Sequence, residues 1–272
     1  MTVNRALLER ARPWLERSLG YALPYPSRRR QLLKIAPQRR PLVHPLFGVR
    51  VDNVVALSVR PDWLAGVRRV ASGLHPDLVF SVLGTYELSR VTLPDGVAVW
   101  GPVPSYFADE ATWQPVRDGR PVKMSAPQLE EVDWKVFWHC DLEAVGAFGI
   151  YEGKRLVAMA SVKDHGDSIW EIGVDVAPDA KSRGLGRAVV SAAGDWILSE
   201  GQTIYASAAA WNVPSSRTLR SLGLEYVYGA LIGRPGPFKV PPQPLGRPLP
   251  EAEVQDQYPR WAMNRDISPR PE

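Results

Sequence analysis

From Val174 to Ala188 the chain reads Val-Asp-Val-Ala-Pro-Asp-Ala-Lys-Ser-Arg-Gly-Leu-Gly-Arg-Ala. A short apolar strand leads here into a basic, glycine-containing turn, and the apolar spacing after the turn predicts a long helix. Such a turn leaves several backbone N–H groups unpaired, and the helix dipole adds partial positive charge at the same place. Lys181, Arg183 and Arg187 add full charges. The stretch is therefore predicted to hold an anion, and a pyrophosphate suits it.

The elements predicted around this turn follow a regular order. Three antiparallel strands precede it, at 145–151, 155–162 and 169–176, with turns at Glu152-Gly153 and His165-Gly166-Asp167. After it come a helix ending at Gly201, a strand of small residues at 203–209, a helix from Asn212 to Gly223 and a strand at 224–232.

Two motifs in this order resemble the GNAT superfamily of acyl-CoA-dependent N-acyltransferases. The first, from Val176 to Ala188, resembles the family's Gln/Arg-x-x-Gly-x-Gly/Ala turn, with Lys181 in the Gln/Arg slot. The second, Asn-Val-Pro-Ser-Ser-Arg-Thr-Leu-Arg-Ser-Leu-Gly-Leu at 212–224, resembles the family's Asn-x-x-Ala/Ser…Leu-Gly-Phe signature. The resemblance covers roughly residues 112–232 and implies an α/β fold with a mixed sheet, the GNAT fold.

The same resemblance implies acetyl-CoA as co-substrate. Its pyrophosphate would lie on the turn, and its pantetheine arm would fill a gap between two splayed strands as an added strand does. Asn212 has a second interpretation, as the N-cap of the helix that contains Pro214, and both roles are compatible. The implied cofactor-binding residues are Val174, Val176, Lys181, Ser182, Arg183, Gly184, Leu185, Gly186, Arg187, Asn212 and Ser215.

The catalytic residues are predicted less directly. Glu171 lies near the position where some family members carry a general base, although a strand carboxylate in a salt bridge is the alternative; Asp175 is the other candidate. The tyrosine that usually donates a proton to the leaving thiolate is replaced by Leu219. Tyr226 and Tyr228, predicted to share one strand face, could take that role or simply be packed. The oxyanion contact in the family is a backbone amide, here near Val176.

Residues 1–110 are predicted to form a smaller α+β domain before the GNAT-like domain at 111–233, and 234–272 form a proline-rich tail. The expected elements are an amphipathic helix at 7–15, a Pro- and Arg-rich connector at 23–45, strands at 54–59, 78–83, 86–93 and 97–106, and a helix from Pro61. This domain is expected to cover the acceptor side, and removing 1–108 is expected to spare CoA binding. Trp134, Trp138, Trp170 and Trp211 suggest an aromatic acceptor cleft or ordinary core.

Charge and composition argue against several other classes of protein and site. The net charge is +4, and residues 1–50 carry eleven Lys or Arg against two Glu, with a cluster at Arg28-Arg29-Arg30. No aromatic residues interleave with these arginines, so a solvated basic face is favoured over a nucleic-acid surface. One cysteine, Cys140, and four scattered histidines predict no disulfide and no metal site. No stretch has the length of a membrane span, and a cytoplasmic protein is expected.

The leading hypothesis is an N-acetyltransferase acting on a primary amine of a small molecule or a protein. A catalytically silent CoA-binding sensor or assembly module is the second hypothesis, because the usual tyrosine is missing at Leu219. A nucleic-acid-associated protein that uses the basic N-terminal region is the third. The acceptor and the oligomeric state, a dimer included, stay open.

Overall fold

The structure, a computed structural model, describes residues 3–26, 31–141 and 143–239. Seven α-helices and ten strands make up this described part of the chain. The helices are α1 (Arg5–Leu19), α2 (Leu64–Gly73), α3 (Pro76–Val79), α4 (Val82–Thr92), α5 (Ala126–Glu130), α6 (Leu185–Ser199) and α7 (Val213–Ser221). The strands are β1 (Leu32–Pro37), β2 (Leu46–Val51), β3 (Val54–Val59), β4 (Val97–Ala108), β5 (Val122–Lys123), β6 (Gly146–Glu152), β7 (Arg155–Asp164), β8 (Ile169–Val176), β9 (Thr203–Ser207) and β10 (Glu225–Pro235).

All ten strands form one mixed sheet in the order β1-β3-β2-β10-β4-β9-β8-β7-β6-β5. The β1–β3 and β8–β9 pairs are parallel, and the other neighbours are antiparallel. The predicted α/β fold with a mixed sheet is confirmed, as are the three-stranded meander, the long helix after the basic turn and the two elements that follow it.

Strand β4 joins the two halves of the chain. It comes from the N-terminal half, yet it lies between β9 and β10 of the C-terminal half and pairs with both. The sheet is therefore continuous across residue 110, and the division of the chain into 1–110 and 111–233 stays a prediction. The cluster Arg28-Arg29-Arg30 and the tail from residue 240 onward lie outside the described residues.

Removing residues 1–108 is expected to unfold the remainder, because it takes away β4 and leaves β9 and β10 without the strand between them. Circular dichroism and thermal melting of the fragment, measured beside the full chain, should show no cooperative transition. A monomeric fragment that melts cooperatively and still binds CoA would restore the expectation from sequence that this region can be cut away.

The N-terminal half differs from its sequence-based prediction at several elements. The segments 78–83 and 86–93, predicted as strands, belong to α3 and α4. Pro76 opens α3, and the Ser81 hydroxyl caps α4 by accepting a hydrogen bond from the Gly84 N–H at 3.3 Å. The predicted connector contains β1, and β2 follows it unpredicted.

Helix α1 and helix α6 cover opposite faces of the sheet. Along β4, Val103 and Phe107 enter the core under α1, whereas Tyr106 and Ala108 enter the core under α6. The predicted amphipathic N-terminal helix is confirmed by α1, which buries Leu7, Leu8, Ala11, Leu15 and Leu19. Each fully buried leucine of this kind contributes about 1.5–3 kcal/mol. The packing of α1 against the sheet is what brings N-terminal side chains to the site described below.

Candidate active site

A gap opens in the sheet between β8 and β9. The two strands pair only where Ile169–Glu171 faces Thr203–Tyr205, although β8 continues to Val176. The Ala177 N–H donates a hydrogen bond to the Val157 carbonyl of β7, and the Ser168 carbonyl accepts one from the Thr203 N–H of β9. Because backbone groups alternate in direction along a strand, those of Val174 and Val176 point into the gap. The predicted splay is thus present, beginning directly after Glu171.

The predicted anion turn lies at the far end of this gap. A 3-10 turn at Pro178–Ala180 leads through residues 181–184 into α6. Ser182 and Gly184 have left-handed backbones, with φ of 65° and 75°, and Gly184 is the N-cap. The first N–H groups of α6, from Leu185 to Arg187, have no partner inside the helix. Since Gly184 offers no side-chain oxygen to cap them, they remain available to an anion.

The basic side chains around the turn are close to solvent. Lys181 is exposed, Arg183 forms an ion pair with Glu152, and the Arg187 guanidinium donates to the Ser221 carbonyl at 3.2 Å. An exposed ion pair of this kind stabilises a protein by only about 0–1 kcal/mol, so a phosphate can replace Glu152 at little cost.

Glu171 lies at the apex of the gap with two partners. Its Oε2 is 2.6 Å from Nε2 of His165, and its Oε1 accepts a hydrogen bond from the Ser207 hydroxyl at 3.3 Å. Both members of the pair are about three-quarters buried, with side-chain exposures of 24% for His165 and 27% for Glu171. A carboxylate and an imidazole at hydrogen-bonding distance can together accept a proton from a nearby amine.

His165 is a site residue that the sequence interpretation placed only in a turn. A signal for it was available, since Lys163 pairs with Glu171 across the β7–β8 hairpin. Residues 163 and 165 have the same parity, so His165 lies on the face of Glu171. The hairpin register therefore indicates the pair once the turn is placed correctly.

Helix α1 holds this pair from the N-terminal side. The Trp14 ring packs edge-on against the His165 ring with centroids 5.8 Å apart. One turn later, Arg17 forms an ion pair with Asp167 at 2.9 Å and donates to the His165 carbonyl. Arg17 thus ties the backbone of the 165–167 turn to α1.

The variant Arg17→Ala should lower kcat/KM for the acceptor roughly 3- to 30-fold, because a small displacement of a proton acceptor already costs rate. CoA affinity should not change, since Arg17 is remote from the 181–187 turn. The matched control is Arg5→Ala, an exposed arginine on the same helix. Equal rates for the wild type and Arg17→Ala would show that the turn keeps its geometry without the contacts of Arg17.

The two candidate tyrosines do not share a face, contrary to the prediction. A β-bulge separates them, so Tyr226 lies opposite Tyr106 while Tyr228 lies opposite Ser105. Tyr226 is 45% exposed, and the cleft described below is lined by Tyr228 and not by Tyr226. Tyr228 is fully buried, and burial raises its pKa well above the ordinary value. Its phenol is therefore a hydrogen-bond donor and a weak acid.

A small polar group surrounds the Tyr228 hydroxyl. The Tyr228 and Ser105 hydroxyls are buried next to the Tyr205 hydroxyl, but they form no hydrogen bond of normal geometry within the described residues. Burial, together with the charge of Glu171, raises the pKa of neighbouring Tyr205 to about 12. Buried hydroxyls without well-formed hydrogen bonds are suited to an ordered water.

Helix α7 forms the wall beside the gap. The Asn212 side chain caps it by accepting a hydrogen bond from the Ser215 N–H at 3.2 Å. Asn212, Ser215 and Leu219 all line the cleft. Asn212 is therefore the predicted N-cap, and its position also leaves the predicted contact with a pantetheine arm available. The buried Leu219 side chain supplies no proton.

Asp175, the other candidate base, is held by a neighbouring loop. Its two carboxylate oxygens lie 2.6 Å from the backbone nitrogen and Nδ1 of His139. Gly173 allows this contact, since a Cβ there would lie 2.2 Å from the His139 carbonyl oxygen. Burial raises the pKa of adjacent Cys140 to about 12, which leaves its thiol unreactive.

These elements enclose one cleft of about 990 Å³ that contains both the gap and side chains of the N-terminal half. Of the four tryptophans considered from sequence, Trp138 and Trp211 line it. Trp134 and Trp170 pack against hydrophobic cores instead. Two further tryptophans that line the cleft were not predicted. They are Trp14 and Trp100.

Across residues 3–26, 31–141 and 143–239, no helix has both the length and the apolar character needed to cross a membrane. The same ranges hold no group of three or more His, Cys, Asp or Glu side chains arranged to bind a metal ion.

Part of this chain is similar to a known family and to several solved structures. Residues 113–224 match the model of the acetyltransferase (GNAT) family. A protein of Novosphingobium aromaticivorans assigned to the GNAT acetyltransferases is 19% identical over 51% of this chain and 66% of its own, with a TM-score of 0.42. A GCN5-related N-acetyltransferase from Kribbella flavida is 19% identical over 55% of this chain and 64% of its own, with a TM-score of 0.43.

A third structure is an aminoglycoside N-acetyltransferase in complex with CoA, 15% identical over 41% of this chain and 93% of its own, with a TM-score of 0.34. The chain thus spans just under two thirds of the length of the first two relatives. No curated protein matches it significantly. By this family match, residues 113–224 form a GNAT acetyltransferase domain in the C-terminal part of this chain.

Proposed function

We propose that this protein is an N-acyltransferase that transfers the acetyl group of acetyl-CoA to a primary amine of a small molecule or a protein by direct attack. One observation supports this most strongly. A single gap joins a row of free amides at the start of α6 with a carboxylate–imidazole pair at Glu171 and His165. An anion-binding turn and a proton acceptor at the two ends of one gap in the sheet are what amine acylation from a phosphate-bearing donor requires.

The shape of the turn fits the proposed donor. A Cβ on Gly184 would meet no atom within 4 Å, so the space over this residue is open to a phosphate. A Cβ on Gly186 would lie 3.3 Å from Val176, so the helix approaches the strand closely here. Lys181, Arg183 and Arg187 would neutralise the phosphates, with further contacts from the backbone of Ser182 and Leu185. When bound, acetyl-CoA supplies the acetyl group as a thioester.

The side chains at the apex of the gap would manage the proton of the acceptor. The Glu171–His165 pair accepts it from the attacking amine and passes it to solvent. The N–H of Val176 points into the gap and would donate to the carbonyl oxygen as negative charge develops there. The Tyr228 hydroxyl stays protonated and, being buried, would act on the acceptor only through the neighbouring Tyr205 and Ser105 hydroxyls. With Leu219 beside the gap, the departing thiolate takes its proton from solvent.

Thiol release tests the proposal. The full chain is mixed with acetyl-CoA and a panel of primary amines, and free CoA thiol is followed with a disulfide reagent. Amine-dependent release, with the acetylated amine identified by mass spectrometry, is the expected result. Release at the same rate without any amine would mean hydrolysis and would reject N-acyl transfer.

A catalytically silent CoA-binding module is the second candidate, and one observation favours it. Leu219 replaces the tyrosine that the family resemblance implies. Calorimetric binding of CoA combined with no thiol release across the panel would support this candidate over the transferase.

A further inference from the structure

The charges that line the cleft are unbalanced. Four are cationic and two are anionic, and both anionic groups are already paired. The Lys163 ammonium donates to Asp141 at 2.5 Å, and each partner shifts the pKa of the other toward the charged form. Glu171 is paired with His165. The six charged residues are Arg17, Arg40, Lys163, Arg234, Asp141 and Glu171.

Two arginines remain without a carboxylate partner within the described ranges. Arg17 forms an ion pair with Asp167. The two remaining arginines are Arg40 and Arg234, which are exposed and line the cleft. Two causes lower the pKa of His44. Burial is the larger cause, and the positive charge of Arg234 is the smaller one. The part of the cleft lined by Arg40 and Arg234, which we call its mouth, therefore carries a net positive potential.

Aromatic rings lie between the proton acceptor and Arg234. Along β10, Tyr228 is near Glu171, Ile232 lies opposite Trp100 of β4, and Arg234 follows two residues later. Six residues of strand separate Tyr228 from Arg234, which is roughly 20 Å. Trp100 packs edge-on against Trp211 with ring centroids 4.9 Å apart. The cleft is thus elongated. The Glu171–His165 pair lies at one end, the aromatic side chains line the middle, and Arg234 lies at the other end.

The charged and aromatic groups along the cleft should favour some acceptor amines over others. A polycation such as a polyamine or an aminoglycoside would bring further positive charge against Arg40 and Arg234 and find no free carboxylate in return. An aromatic body would pack on Trp100 and Trp211. An anionic group would pair with an arginine, which binds planar carboxylates with two parallel hydrogen bonds.

We propose that the acceptor is an amine that also carries an aromatic group and, at its far end, an anionic group such as a carboxylate. The proposal rests on the proposed transferase function. The amine lies at Glu171 and His165, the aromatic group lies against Trp100 and Trp211, and the anionic group lies at the arginines of the mouth.

Matched acceptors test this with the full-length protein and acetyl-CoA. The set is an extended hexapeptide, about 20 Å long, with a phenylalanine in its middle and a free C-terminal carboxylate, the same peptide as its C-terminal amide, a primary amine that carries an aromatic group and a phosphate ester, and spermidine. Thiol release should give kcat/KM for the free acid roughly ten-fold or more above that for the amide, since one charge-assisted contact is lost. Spermidine should be the poorest acceptor, and the phosphate ester shows whether the arginines accept either anion.

The variants Arg40→Gln and Arg234→Gln locate the effect. At least one should raise KM for the free acid roughly ten-fold while leaving the amide unchanged. Arg69→Gln, exposed on α2, is the matched control. Turnover of the amide or spermidine as fast as the free acid would overturn the acceptor class and leave the transferase standing. Absence of thiol release with every acceptor, while CoA still binds, would reject the transferase and the acceptor class together.

Discussion

The variant Gly184→Asp is expected to lose CoA binding in a calorimetric titration. Its carboxylate would stand at the N-cap of α6, where the phosphates are proposed to lie, and would repel them at close range. The backbone should tolerate the change, because the added Cβ meets open space and aspartate is among the residues that accept a left-handed φ. We expect at least a 100-fold loss of affinity, about 2.7 kcal/mol.

Gly184→Asn is the matched control for this variant. It has the same shape and the same backbone requirement without the charge, so it should retain most of the CoA affinity. Circular dichroism should show both variants folded. CoA binding that is equally strong in Gly184→Asp and in the wild type would place the pyrophosphate elsewhere.

The variant Glu171→Gln is expected to lower kcat/KM for the acceptor roughly ten- to a thousand-fold, in the range of a lost general base. CoA affinity should stay nearly intact, because Glu171 lies at the apex of the gap and not at the turn. The amide keeps the length of the side chain and can still bond to His165, so the effect reports the lost charge. Steady-state thiol release across a range of pH measures it.

Asp175→Asn discriminates between the two candidate carboxylates. Asp175 is engaged by His139 at 2.6 Å through both of its oxygens, so its loss should loosen that loop and change the rate less than Glu171→Gln does. The opposite order, with Asp175→Asn inactive and Glu171→Gln unimpaired, would transfer the role of base to Asp175.

The elements that could be predicted from sequence are those that depend on residues close together in the chain. The strand at 169–176, the basic turn and the helix after it follow one another without a break, and their spacing alone indicates them. Asn212 as a helix cap was predictable for the same reason, because its partner, the Ser215 N–H, lies three residues away.

The rest depends on contacts between distant parts of the chain. The hydrophobic residues at 78–93 suit a strand or a helix, and packing against the sheet decides for the helix. The insertion of β4 between β9 and β10 leaves no trace in its own sequence. A bulge sends Tyr226 and Tyr228 to opposite faces, and a bulge shifts the period without an obvious sequence mark.

The site shows the same division. The turn that is proposed to hold the phosphates can be found from sequence. By contrast, the pairing of Glu171 with His165 and the support from Arg17 require the hairpin register and the position of α1. The register becomes clear only once the turn is placed correctly. The position of α1 is a tertiary fact, because an amphipathic helix in the first twenty residues does not reveal which face of a later sheet it will cover.

The central claim is that the gap between β8 and β9 holds CoA with its pyrophosphate on the 181–187 turn. A crystal structure of the full chain grown with CoA tests this most directly. The account predicts phosphate oxygens within hydrogen-bonding distance of the amides from Ser182 to Arg187, and the pantetheine arm beside Val174 with its thiol toward Glu171. Density for CoA at any other place, with the gap filled by water or side chains, would contradict it.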